Sequence, residues 1–156
     1  MAKATAAVKV IRLATRSDIP VLVGMMRQYA QETPVAALQG AAMHDAAHVS
    51  KLLFGILVGR GFVFLDAQMR GFIAAIKCPN VWCPGIVELR ELAWWVLPEF
   101  RGQTIGGKLW LAFDKKANEM LAEKQVDFVC TTVMPTSMID YTKRGYRPLE
   151  ATFYRD

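Results

Sequence analysis

A glycine-rich stretch with one arginine carries the clearest chemical signal in the sequence. It runs from Pro98 to Leu109 and reads PEFRGQTIGGKL, between an apolar run and a segment with helical spacing. The first amides of a helix lack intrahelical partners, and the helix dipole adds partial positive charge there. Glycines let phosphate oxygens come close to the main chain. The stretch therefore predicts an anion site, to which Arg101, Gln103 and Thr104 add side-chain donors.

Two common phosphate-binding patterns do not fit this stretch. Gly102 and Gly107 are separated by four residues and followed by Lys108, as in a Walker loop. Leu109, however, stands where that loop needs the Ser or Thr hydroxyl that binds magnesium. The GxGxxG pattern of dinucleotide-binding domains cannot be drawn here either. The anion is therefore expected to belong to a different class of nucleotide ligand.

The elements that must hold this loop follow from the hydrophobic pattern along the chain. Helices are predicted from about residue 17 to residue 31, over about 45–58, from about 106 to 124, and over a short segment stopped by Gly145. Strands are predicted over 9–15, 62–67, 71–77, 86–98 and 126–133, with one or two closing strands after 145. Residues 32–43 have no period and are predicted to be a loop. The fold class is α+β (mixed α/β).

Length and composition favour one globular domain over residues 1–156. Hydrophobic residues make up 53% of the 156 positions and charged residues 21%, which is typical of a folded protein. The three cysteines form no disulfide or zinc pattern and are expected to be reduced thiols. No apolar stretch reaches the roughly 18 residues of a membrane helix, and MAKATAAVKV lacks a signal-peptide core. We therefore expect a cytoplasmic protein with no membrane partner.

The formal net charge of +5 favours an acidic partner. The basic residues are scattered, however, and no run of lysine and arginine or RNA-binding aromatic motif occurs. A nucleic-acid partner is therefore not expected, and a small polyanionic cofactor suits the same charge. The segment HDAAH at 44–48 has the i, i+4 histidine spacing of metalloproteases, but aspartate replaces their glutamate. We interpret it as a helix start and expect no metal.

The loop and two flanking segments resemble the Gcn5-related N-acetyltransferase (GNAT) superfamily. Its R/Q-x-x-G-x-G/A motif is matched by Arg101, Gly102, Gln103, Thr104, Ile105 and Gly106, with Thr104 where the family usually has glycine. IRLATRSDIPVLVGMM is similar to the opening strand and helix of the family, and DYTKRGYRP to its late FYEKLGF-type segment. The order of elements matches along essentially the full chain. The resemblance implies a single domain with a mixed, mostly antiparallel sheet of six to seven strands, splayed at the central strand, and about four helices.

The resemblance also implies an acetyl-CoA-dependent N-acetyltransferase that acts on an amine. In that family the loop amides hold the pyrophosphate, here from Arg101 through Gly107, and the pantetheine arm pairs with the splayed strand, here Trp94, Trp95 and Val96. Tyr141 matches the tyrosine that protonates the CoA sulfur. A carboxylate on the central strand serves as base, and Glu91 is favoured over Glu88 or a water chain. The partners implied are acetyl-CoA and an amine acceptor, and a homodimer is left open.

Two other functions are weighed against acetyl transfer. The departure at Thr104 motivates a non-catalytic CoA-binding or regulatory module with the same fold. A basic nucleic-acid-binding protein is the third alternative and is the least favoured. Retention of Tyr141 favours the enzyme. The identity of the amine, and the choice between acetyl and a longer acyl group, do not follow from the sequence.

Overall fold

The protein is built around one five-stranded sheet. The computed structural model describes residues 10–40, 44–133 and 139–155. The strands are β1 (Ile11–Leu13), β2 (Gly61–Asp66), β3 (Gly71–Pro79), β4 (Val87–Val96) and β5 (Phe128–Cys130). They lie in the order β1-β2-β3-β4-β5, with antiparallel pairs up to β4 and a parallel β4–β5 pair. The predicted mixed, mostly antiparallel sheet is confirmed.

Helices cover both faces of this sheet. They are α1 (Ile19–Gln31), α2 (Ala46–Gly55, continued by a π-helical turn over Ile56–Arg60) and α3 (Ile105–Ala122). One core lies between the sheet and the first two helices and contains Leu22, Leu53 and Phe72. The other lies under α3 and contains Leu109 and Phe113. Apolar residues at helical spacing on each helix explain the two layers, because each stripe must be buried against the sheet.

The predicted number of elements is too high. The described residues contain five strands and three α-helices, against six to seven strands and about four helices expected. Residues 147–155 form no strand; Pro148 lacks the amide that a sheet ladder needs, and Phe153 is 91% exposed. The segment before Gly145 is a 3-10 turn over Tyr141–Arg144 rather than an α-helix. The part of that predicted helix before residue 139 lies outside the described residues.

The sheet opens between its last two strands. Strand β5 pairs with β4 only over three positions, from Glu88 with Phe128 to Arg90 with Cys130. Beyond Arg90, β4 continues for six residues with β3 on one side only, within the part of the chain that the structure describes. The register against β3 also shifts at this point, because Ala75 faces Glu91 and Ala74 faces Ala93. A β-bulge at Leu92 therefore lies where the strands separate, a common place for a functional group.

Candidate active site

The glycine-rich loop leads into the N-terminus of α3. Gly102 has φ +80°, in the left-handed region that favours glycine. Thr104 has ordinary right-handed helical dihedrals (φ −75°, ψ −5°), so threonine fits there without backbone strain. The amide of Lys108 makes a helical bond to the Thr104 carbonyl at 3.0 Å. The amides of Ile105, Gly106 and Gly107 therefore precede the first intrahelical bond and can donate to an external acceptor.

Open space lies beside Gly107 in the first turn of α3. A Cβ atom built on Gly107 would have no neighbouring atom within 4 Å. Gly107 also lines a cavity of about 310 Å³. The first turn of α3 thus has amides without helical partners and, at Gly107, open space beside the chain, which are features of phosphate sites at helix N-termini.

The guanidinium of Arg101 is held by the protein itself. It donates through Nε to the carbonyl of Val96 at 2.9 Å and through Nη2 to Oε1 of Glu32 at 2.5 Å. The indole of Trp95 donates to the same Glu32 oxygen at 2.8 Å, and Arg101 lies 5.8 Å from the centre of the Trp95 ring. Burial acts to raise the pKa of Glu32, but bonds from Arg101 and Trp95 hold it below its usual value. The arginine therefore ties the loop to the end of α1.

Glu91 is a buried carboxyl at the bulge in β4. Its side chain is only 7% exposed, and its Oε2 atom accepts from the Thr131 hydroxyl at 3.0 Å and the Thr132 amide at 3.2 Å. Among the described residues, no lysine or arginine forms an ion pair with it. Burial raises the pKa of Glu91, and the bonds from Thr132 and Thr131 offset this only in part. A carboxyl with a raised pKa is suited to take up a proton near neutral pH.

Tyr141 is bonded to one of the two threonines that bind Glu91. Its hydroxyl donates to the carbonyl of Thr132 at 3.1 Å. Asp140 caps the turn that carries it by accepting from the Thr142 amide at 3.0 Å, and Gly145 ends it with φ +83°. Burial raises the pKa of Tyr141, so its hydroxyl keeps its proton at neutral pH and can donate it.

One cavity brings the loop and Tyr141 together. It has a volume of about 310 Å³ and lies between the start of α3 and the turn at Tyr141. Trp94, Trp110 and Arg144 also line it. The indole of Trp110 stacks on the Tyr141 ring, with 5.5 Å between the ring centres and 24° between the planes. The cavity therefore joins the first turn of α3 to the phenol ring of Tyr141.

The structure gives different surroundings to residues that lie close together in the sequence. Trp94 packs on the α3 side of the sheet, whereas Trp95 is buried in the core under α1 and α2, as expected for adjacent strand residues. Glu88 forms an ion pair with Arg90 at 2.8 Å, unlike Glu91, which bonds only to threonines. In HDAAH, Asp45 accepts from the His48 amide at 2.9 Å and caps α2, so the expected helix start is confirmed.

The sequence reasoning missed four residues of this site. Thr131 and Thr132 hold Glu91, Trp110 stacks on Tyr141, and Glu32 binds Arg101. A signal for the threonines was present, because the carboxyl ends of parallel strands meet at one edge of a sheet. Trp110 has the helical spacing of an ordinary core residue, so its sequence position gives no separate signal. The role of Glu32 comes from its bond to Arg101, which lies 69 positions away in the chain. Trp110 and Glu32 can therefore be identified as site residues only from the folded structure.

Comparisons with known proteins identify the fold. The domain has a splayed mixed sheet with a helix N-terminus at the split, and solved structures of acetyltransferases share it. One is a GCN5-related N-acetyltransferase from Ralstonia eutropha JMP134, with a TM-score of 0.66 and 19% identity over 94% of this chain and 97% of that chain. Another is a predicted acetyltransferase from Clostridium acetobutylicum solved with acetyl-CoA, with a TM-score of 0.64 and 16% identity over 94% of both chains. The chain thus has the GNAT fold, and the predicted resemblance is confirmed at that level.

A third neighbour was solved in complex with a small molecule. It is an aminoglycoside acetyltransferase from an uncultured soil metagenomic sample in complex with sisomicin, with a TM-score of 0.58 and 16% identity over 94% of both chains. No protein-family model matches the sequence, and a search of curated proteins returns no significant match. None of the helices in the described residues is long and apolar enough to span a membrane.

Proposed function

We propose that the protein transfers the acetyl group of acetyl-CoA to a primary amine by direct attack in a ternary complex. The observation that carries this proposal is the joint position of Glu91 and Tyr141. A buried carboxyl and a phenol hydroxyl are bound to the same residue, Thr132, where β4 and β5 separate. The neighbour solved with acetyl-CoA and the neighbour bound to an aminoglycoside support the choice of donor and of an amine acceptor.

The donor site is assigned to the loop and the open edge of β4. The amides of Ile105, Gly106 and Gly107 hold the pyrophosphate, with Gly102, Gln103 and Thr104 shaping the approach. The main chain from Trp94 to Val96 pairs with the amide-bearing arm, because an unpaired strand edge is a template for such groups. Arg101 acts here by fixing the loop, since its guanidinium is bonded to Glu32 and Val96.

The acid and the base act on the two sides of the thioester. The amine nitrogen forms a bond to the acetyl carbon, and Glu91 takes the proton that this nitrogen loses. The carbon–sulfur bond then breaks, and Tyr141 gives its hydroxyl proton to the sulfur. The raised pKa of each group, caused mainly by burial, suits its role, because Glu91 holds a proton well and Tyr141 starts protonated.

A non-catalytic CoA-binding module is the second candidate. Thr104 stands where the family motif usually has glycine, and Arg101 already occupies the Val96 carbonyl. Both features concern ligand binding rather than the reacting groups. The module would bind CoA species and release no thiol with any amine.

The proposal is tested by the melting temperature with acetyl-CoA, free CoA and ATP. Ligand at 100 times its dissociation constant adds about 2.7 kcal/mol, which raises the melting temperature of a domain of this size by about 5–10 °C. We expect this rise with both CoA species and not with ATP. Amine-dependent thiol release with a panel of primary amines then separates the enzyme from the binding module. The absence of any rise at millimolar acetyl-CoA would contradict both candidates.

A further inference from the structure

Asp114 is a buried carboxylate on α3 that the proposed reaction does not use. It lies in the middle of the helix and is 8% exposed. Its Oδ1 atom accepts from the Tyr146 hydroxyl at 3.1 Å, and its Oδ2 atom lies 3.9 Å from Nη1 of Arg144. A buried charge destabilises a fold unless partners compensate it. Both of these partners belong to residues 141–146, the segment that carries Tyr141.

Tyr146 is linked directly to Tyr141. Its amide donates to the Tyr141 carbonyl at 3.4 Å, and the centres of the two rings lie 6.0 Å apart. Gly145 has φ +83°, so the chain can turn back at this point. Burial and the charge of Asp114 raise the pKa of Tyr146, so its hydroxyl keeps its proton at neutral pH and continues to donate. A shift of Tyr146 relative to α3 would therefore move Tyr141 as well.

Asp114 also lies on the helix that begins with the glycine-rich loop. The proposed function assigns the first-turn amides of α3 to the pyrophosphate, and the regular geometry of the helix fixes their distance from Asp114. The hydroxyl of Tyr141 bonds to Thr132, but a group that gives up its proton during the reaction cannot hold the turn throughout it. Asp114 attaches the same turn to α3 and leaves that hydroxyl free to react.

We propose that Asp114 is a positioning residue for Tyr141, because its contacts with Tyr146 and Arg144 hold the turn at Tyr141 on α3 at a fixed distance from the donor loop. This inference rests on the proposed function for the role of Tyr141 in the reaction. A proton donor must lie within hydrogen-bond reach of the leaving sulfur. A displacement of about 1 Å, caused by a change far from the reacting atoms, can lower the rate about 10²-fold. The buried carboxylate thus acts on the placement of the acid and takes no part in the proton transfer.

The variant Asp114→Leu removes both contacts and keeps the site filled. We expect kcat per folded molecule to fall about tenfold to a hundredfold, since the acid is displaced. The dissociation constant of acetyl-CoA should change by less than about threefold, because the loop amides are untouched. Tyr146→Phe removes only the hydroxyl and should give a smaller loss of kcat in the same direction. Tyr154→Phe is its matched control, since Tyr154 is 58% exposed, and it should leave both quantities unchanged.

A conservative variant and a double-mutant cycle distinguish this role from a purely structural one. Asp114→Asn keeps an oxygen that can accept from Tyr146, so it should lower kcat less than Asp114→Leu. Adding Tyr146→Phe to Asp114→Leu should lower kcat little further, because the bond is already absent. Equal losses in the two Asp114 variants, or additive losses in the cycle, would overturn the proposal. A loss of stability in Asp114→Leu with an unchanged kcat per folded molecule would overturn it as well.

The position of the Tyr141 ring can be measured without turnover, which separates this inference from the proposed function. Trp110 stacks on this ring, with 5.5 Å between the ring centres, so the ring current of the indole shifts the NMR signals of ring-labelled Tyr141. The signals lost in Tyr141→Phe identify them. We expect them to move toward their unstacked values in Asp114→Leu and, less far, in Tyr146→Phe, while those of Tyr29 stay in place. Unmoved signals contradict the inference, whereas moved signals in a protein whose natural form releases no thiol contradict only the proposed reaction.

Discussion

Asp66 and Glu91 lie on the same sheet, at the end of β2 and near the middle of β4. Their side chains are 0% and 7% exposed, so both carboxyls have left water almost completely. Asp66 accepts from Nε and Nη2 of Arg70 at 2.7 and 3.0 Å and also from the Gln68 amide at 3.1 Å. Glu91 accepts only from the neutral donors of two threonines. Two carboxyls with small exposed surfaces thus have opposite electrostatic surroundings.

The pKa values of these two carboxyls shift in opposite directions. Bonds from Arg70 lower the pKa of Asp66 more than burial raises it, so this group remains charged over the whole neutral range. Burial dominates at Glu91 and raises its pKa. The difference teaches that burial alone does not mark a functional carboxyl. A buried carboxyl without a cation is held ready to accept a proton, whereas one with a cation holds the fold together.

Glu91→Gln gives the largest expected effect. The amide keeps the size of the side chain but cannot accept a proton, so we expect kcat/KM for acetyl transfer to fall about 10²–10⁴-fold. Steady-state thiol release at pH 7–8 is the measurement. Asp66→Asn is the matched control, since it makes the same chemical change at the paired carboxyl. Its rate per folded molecule should stay within about twofold of the natural protein, and an equal loss in both variants would refute the contrast.

The second-largest effect is expected on the stability of the Asp66→Asn variant. The change removes the charge that Arg70 binds, and we expect the free energy of unfolding in urea to fall by about 1–3 kcal/mol. Glu119→Gln serves as control, because its contact with Lys116 is 3.6 Å long and both side chains are partly exposed. That control should change stability by less than about 0.5 kcal/mol. A fully stable Asp66→Asn variant would mean that the Arg70 bonds do not hold this hairpin.

Thr104→Gly gives the smallest expected effect, and it concerns binding at the loop rather than the two carboxyls. Thr104 has ordinary helical dihedrals and no side-chain bond to the helix end, so glycine there changes little in the backbone. We expect the dissociation constant of acetyl-CoA, measured by calorimetry, to change by less than about tenfold, or 1.4 kcal/mol. A gain of several hundredfold would show that Thr104 is what weakens the site, and would favour the non-catalytic module.

The sequence predicts the central strands and α3 better than the strands at the edges of the sheet. The pattern placed β3, β4 and α3 within about two residues of their observed bounds, because each has an unbroken apolar stripe to bury. It overestimated the lengths of β1 and β5 and predicted closing strands that residues 147–155 do not form. Pairing in these segments depends on the neighbouring strands rather than on the local pattern. The motif located the turn before α3, since Gly102 has the positive φ that favours glycine. The chemistry was harder, because the bulge at Leu92 and the bonds from Thr131 and Thr132 exist only in the assembled sheet.

The dependence of stability on pH at Glu91 tests this view of the site without any substrate. Because the pKa of Glu91 is higher in the folded protein than in the unfolded chain, its contribution to stability is greatest below the unfolded value of about 4.3 and falls as pH rises toward the folded value. The glutamine side chain of the Glu91→Gln variant does not titrate, so its contribution to stability does not fall as pH rises. We therefore expect the free energy of unfolding of Glu91→Gln, relative to the natural protein, to increase steadily from pH 4 upward and then level off. A difference that is independent of pH, or that decreases as pH rises, would contradict an uncompensated carboxyl at the split of the sheet.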